Sequence, residues 1–100
     1  MSLLELRHVS IRGKVQGVSY RAWTEETARK LGLQGWVRNR RAGWVEAVFA
    51  GPGEAVERML EACAKGPPGA QVTSVDQRPG TSEDLAMRPT GADFVVLPTI

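Results

Sequence analysis

The run from Gly13 to Leu31, GKVQGVSYRAWTEETARKL, decides how the chain is read, because the spacing of its apolar residues changes within it. Upstream, Leu3 to Ile11 sets Leu, Val and Ile between polar residues as a strand does, with Leu4 and Leu6 on one parity and Val9 and Ile11 on the other. Downstream, Tyr20, Trp23, Thr24, Thr27 and Leu31 fall at i, i+3, i+4, i+7 and i+11, the stripe of an amphipathic helix. Glu25 and Glu26 precede Arg29 and Lys30 in the order that suits the helix dipole, and Gly32 supplies the stop.

Outward from this junction the pattern continues. GWVRN (35–39) and WVEAVFA (44–50) are β-rich runs separated by RRAG, which predicts a hairpin turning at Gly43. Pro52 and Gly53 open a second helix, whose stripe of Val56, Met59, Leu60 and Cys63 ends at Gly66 and two prolines. AQVTSVDQ (70–77) reads as a fourth strand, PGTSEDLAMRPTGAD (79–93) as a polar loop, and FVVL (94–97) as a short fifth strand. The order is βαββαβ with an extra C-terminal strand. One apolar stripe per helix predicts an α+β, ferredoxin-like sandwich with both helices on one face of a mostly antiparallel sheet. No repeat or linker interrupts it, so residues 1–100 are expected to form a single domain.

One hundred residues, 42% of them hydrophobic, suffice for one core without a disulfide or metal staple. Cys63 is the only cysteine, which rules out an intrachain disulfide and leads to the expectation of a reducing, cytoplasmic setting. No segment approaches the ~18 apolar residues of a membrane span, and the N-terminus lacks a basic region followed by an apolar run. The formal charge of +2 hides an asymmetry: nine Lys or Arg against three Glu through Arg41, then four basic against eight acidic residues. A positive end calls for an anionic partner, which a small phosphate compound and a nucleic acid satisfy equally.

The loop between the first strand and first helix is suited to an anion. Such a junction leaves backbone N–H groups unpaired at the positive end of a helix dipole. Gly13 and Gly17 permit sharp turns, and Arg21 offers a planar fork to phosphate oxygens. From these residues alone, a glycine-built turn beside a solvated arginine remains an equal alternative.

GKVQGVSYR followed by ARKLGLQGWVRN resembles the acylphosphatase family, and the resemblance continues through GWVEAVFAGPGEAVERML and KGPPGAQVTSVD, from about Val9 to Asp76. It implies a metal-free, cofactor-free enzyme that cleaves acyl phosphates. Carried onto this chain, Arg21 binds the phosphate together with the loop Val15, Gln16, Gly17, Val18, Ser19 and Tyr20, and Asn39 positions the attacking water. Ser19 departs from the apolar, aromatic or glycine residue of many members, and FVVLPTI lacks their aromatic finish. The chemistry agrees with a sparse site. The leaving group is a carboxylate whose conjugate acid has a pKa of about 4 to 5, so no protein acid is needed. What remains is to hold a phosphoryl group and align a water, whose proton a substrate phosphate oxygen can take.

Competing chemistries find less. Gly69, not arginine, stands six residues after Cys63, and that cysteine lies on a helix stripe as a buried thiol. His8, the only histidine, sits within the first strand, and no Cys or His cluster offers a metal site. Tyr20, Trp23 and Trp36 read as packing residues. The alternatives kept are a catalytically idle phosphate-binding domain and an RNA-binding module of the same fold. Arg38, Arg40 and Arg41 favour the second, though they read first as a solvated hairpin end and next as steering for anionic substrates, and Trp44 and Phe49 face opposite sides. A monomer without nucleic-acid or membrane partners is expected.

Overall fold

A computed structural model describes residues 4–100, and in it the switch from strand to helix falls where the apolar spacing places it. Strand β1 spans Leu4–Lys14 and helix α1 Tyr20–Lys30. The strand runs on past Ile11, and Leu3, the expected start, lies outside the described residues. Strands β2 (Gln34–Asn39) and β3 (Val45–Pro52) form the hairpin, closed by Arg40 N–H on Trp44 O at 2.8 Å and Gly43 N–H on Arg40 O at 2.9 Å. Helix α2 (Gly53–Lys65), strand β4 (Gln71–Pro79), the short helix α3 (Ser82–Leu85) and strand β5 (Phe94–Val96) complete the order.

The sheet runs β4-β1-β3-β2-β5, antiparallel throughout except for the parallel pair β2 and β5. β1 and β2 are joined through α1 yet have β3 between them, while β3 and β4 are joined through α2 yet have β1 between them. Two interleaved split βαβ units of this kind make the ferredoxin-like sandwich. Helix α1 packs on β2 and β5, and α2 on β1, β3 and β4. Alternation decides what meets them: Val9, Ile11, Val37, Val45, Ala47 and Phe49 are fully buried against Tyr20, Ala28, Val56, Met59 and Cys63.

The stripe of α1 is centred differently from the one read in its sequence. Tyr20, Thr24 and Ala28 form the buried line, while Trp23 and Leu31 pack at its margin. Ala28 carries too little apolar surface to stand out in a periodicity count, but its small side chain lets helix and sheet approach. The buried Thr24 hydroxyl donates to Tyr20 O at 2.8 Å. The Tyr20 hydroxyl donates to Cys63 O at 2.6 Å, tying the start of α1 to the last turn of α2. Cys63 is buried and free, as its stripe position implied.

On the opposite face stand His8, Ser10 and Arg12 of β1, Trp36 and Arg38 of β2, and Glu46 and Val48 of β3, in cross-strand rows. Leu6 shares this face, and Gly80 packs directly on it, so the change of parity in β1 reflects two covered faces of a strand that keeps its register with β3 from Leu4 to Ile11. The cover comes from 79–93, which is more than the polar loop expected. Thr81 and Asp84 form a reciprocal capping box that starts α3, and Trp36 Nε1 donates to Asp84 O at 2.7 Å. Trp36 is thereby fully buried.

Gly35 in β2 is paired in the sheet with Phe49 on one side and Phe94 on the other, and the rings of those two residues stack with centroids 5.7 Å apart. At φ +140°, a Cβ there would come within 1.8 Å of Val48 O. Gly35→Ala is expected to cost about 3 kcal/mol through strain and overpacking, lowering the melting temperature by roughly 12–24 °C. A melting temperature within a few degrees of wild type would show that β2 and β3 are not so closely apposed.

Candidate active site

Ser19, the N-cap of α1, sits in the left-handed region at φ 62° and ψ 26°, and its hydroxyl caps no helix amide. The first turn carries no acidic residue, whereas Arg29 and Lys30 occupy the last. The first amide at the helix entrance to find a backbone acceptor is that of Trp23, on Ser19 O at 3.1 Å. The N–H groups ahead of it stay available to an anion at the positive end of the dipole. Gly17, at φ +75° with open space around it, supplies the turn of the backbone that a side chain would strain.

Three residues anchor this loop. Val15 is fully buried and Val18 packs against the core, so neither side chain faces a ligand. Gln16 turns away as well: its carboxamide donates to Arg40 O at 2.7 Å and to Trp44 O at 3.0 Å, fastening the loop to the β2–β3 hairpin. The side chains of Val18 and Gln16 are thus engaged with the core and the hairpin, and what these two expected loop residues can offer an anion is their backbone N–H groups.

The hairpin carries Asn39. Alternation along β2 puts Val37 and Asn39 on the helix side, with Arg38 and Arg40 on the far side. A cleft of about 520 Å³ is lined by Val15, Gln16, Gly17, Ser19, Tyr20, Arg21, Ala22, Glu25, Asn39 and Val96. It brings Arg21 and Asn39 together across the loop. Among the described residues, the Arg21 guanidinium makes no hydrogen bond or ion pair. Asn39 is buried, and its Oδ1 has no hydrogen-bond partner. A buried polar atom left unpaired costs about 1–3 kcal/mol, so this one marks a place where the fold gives up stability for an acceptor aimed at something else.

Behind Asn39 the strand is locked from the other face. The Glu46 carboxylate accepts from Arg38 Nε at 2.7 Å and Arg40 Nη1 at 3.1 Å on one oxygen, and meets His8 Nε2 at 2.6 Å on the other. Since a carboxylate only accepts, His8 donates from Nε2. Burial alone would raise the Glu46 pKa, but the bonds from His8, Arg38 and Arg40 outweigh it and hold the carboxyl below its usual range. Arg38 is 7% exposed, so it is no solvated hairpin end, and Arg40 shares the same carboxylate. Only Arg41 of the three is exposed. The Trp44 ring is already engaged by cations, with the guanidiniums of Arg12 and Arg40 4.6 and 5.3 Å from its centroid.

Tyr20, on the cleft lining, is not poised to exchange a proton near neutrality, because its phenol is pushed far up by burial and by the adjoining Cys63. Burial also pushes the Cys63 thiol up, to about 12, which makes it a packing group and not a nucleophile. Glu25 and Val96 line the cleft without having been singled out in the sequence. The signal was available for Glu25, which lies four residues after Arg21 and so on the same helix face.

A family model described as acylphosphatase matches residues 7–94. The chain is 52% identical over 95 residues to an acylphosphatase of Rhodopseudomonas palustris strain BisB18, covering 95% of this chain and 96% of that one. Among solved structures it is similar to an acylphosphatase from Coxiella burnetii, with TM-score 0.82 and 33% identity over 94% of this chain and 93% of that one. It is similar also to the acylphosphatase from Bacillus subtilis, with TM-score 0.81 and 31% identity over 95% and 99%.

The depressed pKa of Glu46 has a defined sign in stability. Its contribution is complete above the unfolded carboxylate value of about 4.3 and disappears as pH falls through the lower folded value. Glu46→Gln, which strands Arg38 without its partner, is therefore expected to cost about 2–4 kcal/mol at neutral pH. The gap between wild type and variant should close as the solution is taken below about pH 4. Denaturant unfolding across this range measures it, and a gap that stays constant would mean that Glu46 gains nothing from ionisation.

Proposed function

The chain belongs to the acylphosphatase family and hydrolyses acyl phosphates to a carboxylate and inorganic phosphate, and we propose that Arg21 and Asn39 carry the reaction. The observation that supports this most is the pairing, in one cleft, of an unengaged guanidinium at an uncapped helix N-terminus with the unpartnered Oδ1 of Asn39. The phosphoryl group rests on loop N–H groups from Gly17 to Arg21, with the Arg21 fork taking two of its oxygens. The Asn39 amide accepts a hydrogen bond from a water and points its lone pair at phosphorus.

In the reaction the water oxygen forms a new bond to phosphorus while the bond from phosphorus to the acyl oxygen breaks. The acyl oxygen keeps the bonding electrons and leaves as carboxylate. Its low basicity removes the need for a protein acid, in keeping with the inert state of Tyr20 and Cys63. The water's proton passes to a phosphate oxygen. Rate enhancement then rests on positioning and on fixed positive charge, the two effects that dominate phosphoryl transfer.

The reading extends to setting and partners. We take residues 1–100 as one acylphosphatase-like domain that acts as a cytoplasmic monomer without metal or cofactor. The lone, buried Cys63 supports a reducing compartment. Among the described residues, no helix is long and apolar enough to cross a membrane and no cluster of three His, Cys, Asp or Glu is arranged to hold a metal ion. The arginine-covered Trp44 and buried Trp36 speak against an RNA-stacking platform.

Turnover of benzoyl phosphate in the presence of a chelator tests the reading directly, and a folded chain that fails to turn it over would return the idle phosphate-binding alternative. Arg21→Ala is expected to lose about 10²–10³-fold or more in kcat/KM, together with inhibition by inorganic phosphate. Arg21→Lys should recover little, because an ammonium lacks the planar fork. Near-normal phosphate inhibition in the lysine variant would remove the bidentate assignment.

Asn39→Ala should separate the two roles. Expected is a loss of about 10²–10³-fold in kcat with phosphate inhibition nearly intact, since water alignment matters mainly in the transition state. Asn39→Asp, which sets a negative charge before the phosphoryl group, should weaken phosphate binding too. Retained kcat in the alanine variant with a lowered melting temperature would reduce Asn39 to a turn residue.

A further inference from the structure

A cleft built to receive a dianion has one feature that opposes it. Glu25 stands on its wall, four residues and so about 6 Å along α1 from Arg21. Its side chain is 35% exposed, and its Oε2 lies 3.6 Å from Arg29 Nη2, a loose pair. Arg29 is also held elsewhere, since the same nitrogen donates to Phe94 O at 2.8 Å. The pair leaves Oε1 of Glu25 without a partner among the described residues, and the carboxylate keeps charge to present to the cleft.

The lining divides by function. The loop and Arg21 take the phosphate, and Asn39 takes the water. Ala22, Glu25 and Val96 are what remain for the acyl group, which must leave the phosphorus away from both. Val96 presents an apolar side chain that is 39% exposed, while Glu25 presents the negative charge. The charged side chains on this wall therefore change sign along α1, from Arg21 at its uncapped N-terminus to Glu25 one turn later.

We infer that Glu25 is a specificity-determining residue that favours acyl phosphates with a neutral or cationic acyl group and discriminates against those carrying a second negative charge. The inference rests on the phosphate placement proposed above. An apolar acyl body lies against Val96, and an amino group or other hydrogen-bond donor on it meets Glu25. A carboxylate or second phosphate in the same position is repelled, by about threefold per unit charge at a dielectric approaching that of bulk water and a separation near 8 Å. The same field orients a substrate with its phosphate inward.

Three probes of one shape read this out: benzoyl phosphate, 4-carboxybenzoyl phosphate and 4-(aminomethyl)benzoyl phosphate. All three present the same phosphate, so any general effect of Glu25 on anion binding cancels in ratios of kcat/KM. Wild type is expected to favour the cationic over the anionic probe by about tenfold, two unit charges apart. Glu25→Gln, which keeps helix propensity and size, should bring that ratio close to one. High salt should narrow the wild-type ratio and leave the variant's ratio little changed. An equal ratio in wild type and variant at low salt would overturn the assignment of Glu25 while leaving the acylphosphatase reading intact. Absence of turnover of benzoyl phosphate by wild type would instead remove the reading on which the assignment rests.

Discussion

The Gln16 carboxamide, which donates to Arg40 O at 2.7 Å and to Trp44 O at 3.0 Å, joins two parts of the chain that sheet pairing does not join. One is the loop after β1 with the helix entrance that follows it; the other is the turn between β2 and β3. The loop holds Arg21 and the hairpin holds Asn39, so the separation of the two groups depends on this clamp more than on either strand. An amide suits the position because both its hydrogens find carbonyl acceptors at a turn whose own closure leaves their second lone pairs free. Neither the apolar anchors Val15 and Val18 nor the strand ladder could supply that direction.

Local strain and local vacancy of caps accompany the clamp. A serine at φ 62° spends of order 1 kcal/mol on a backbone region that glycine occupies freely. Its hydroxyl does not recover this by capping α1. Asn39 adds a buried acceptor without a partner. The strained serine and the unpartnered Asn39 oxygen meet in one cleft, while Thr24, Tyr20 and Trp36 each find a backbone acceptor for a buried donor. Such a distribution is expected where stability is exchanged for a prepared binding site.

Much of this was legible before any coordinates. The helices and the hairpin announce themselves because each has a stripe or alternation long enough to count, and the anion loop lies where a strand meets a helix across two glycines. Three features were not legible, for separate reasons. Helix α3 has four residues, too few for a stripe, and only Thr81 and Asp84 at capping-box spacing signal it. Arg38 and Arg40 looked solvated because a run of charge along one strand says nothing of Glu46 facing them from the next. The parity change in β1 obscured where the strand starts because the cover over Leu6 comes from Gly80, more than seventy positions further along the chain. In the last two cases the missing information is a tertiary contact, which periodicity does not encode.

The economy of the site follows from its leaving group. A phosphate monoester expels an alkoxide that needs protonation or a metal, whereas an acyl phosphate expels a carboxylate stable in water. With that demand absent, a guanidinium, a row of backbone amides and one carboxamide can do the positioning without exchanging protons themselves. The fold can therefore keep its titratable groups for other uses. Tyr20 and Cys63 are spent on packing α1 against α2, and the His8, Glu46, Arg38 and Arg40 cluster on stiffening the strand behind Asn39. Glu25 is left as the one carboxylate on the cleft lining, and because no proton transfer requires it, its charge is free to act on the acyl group alone.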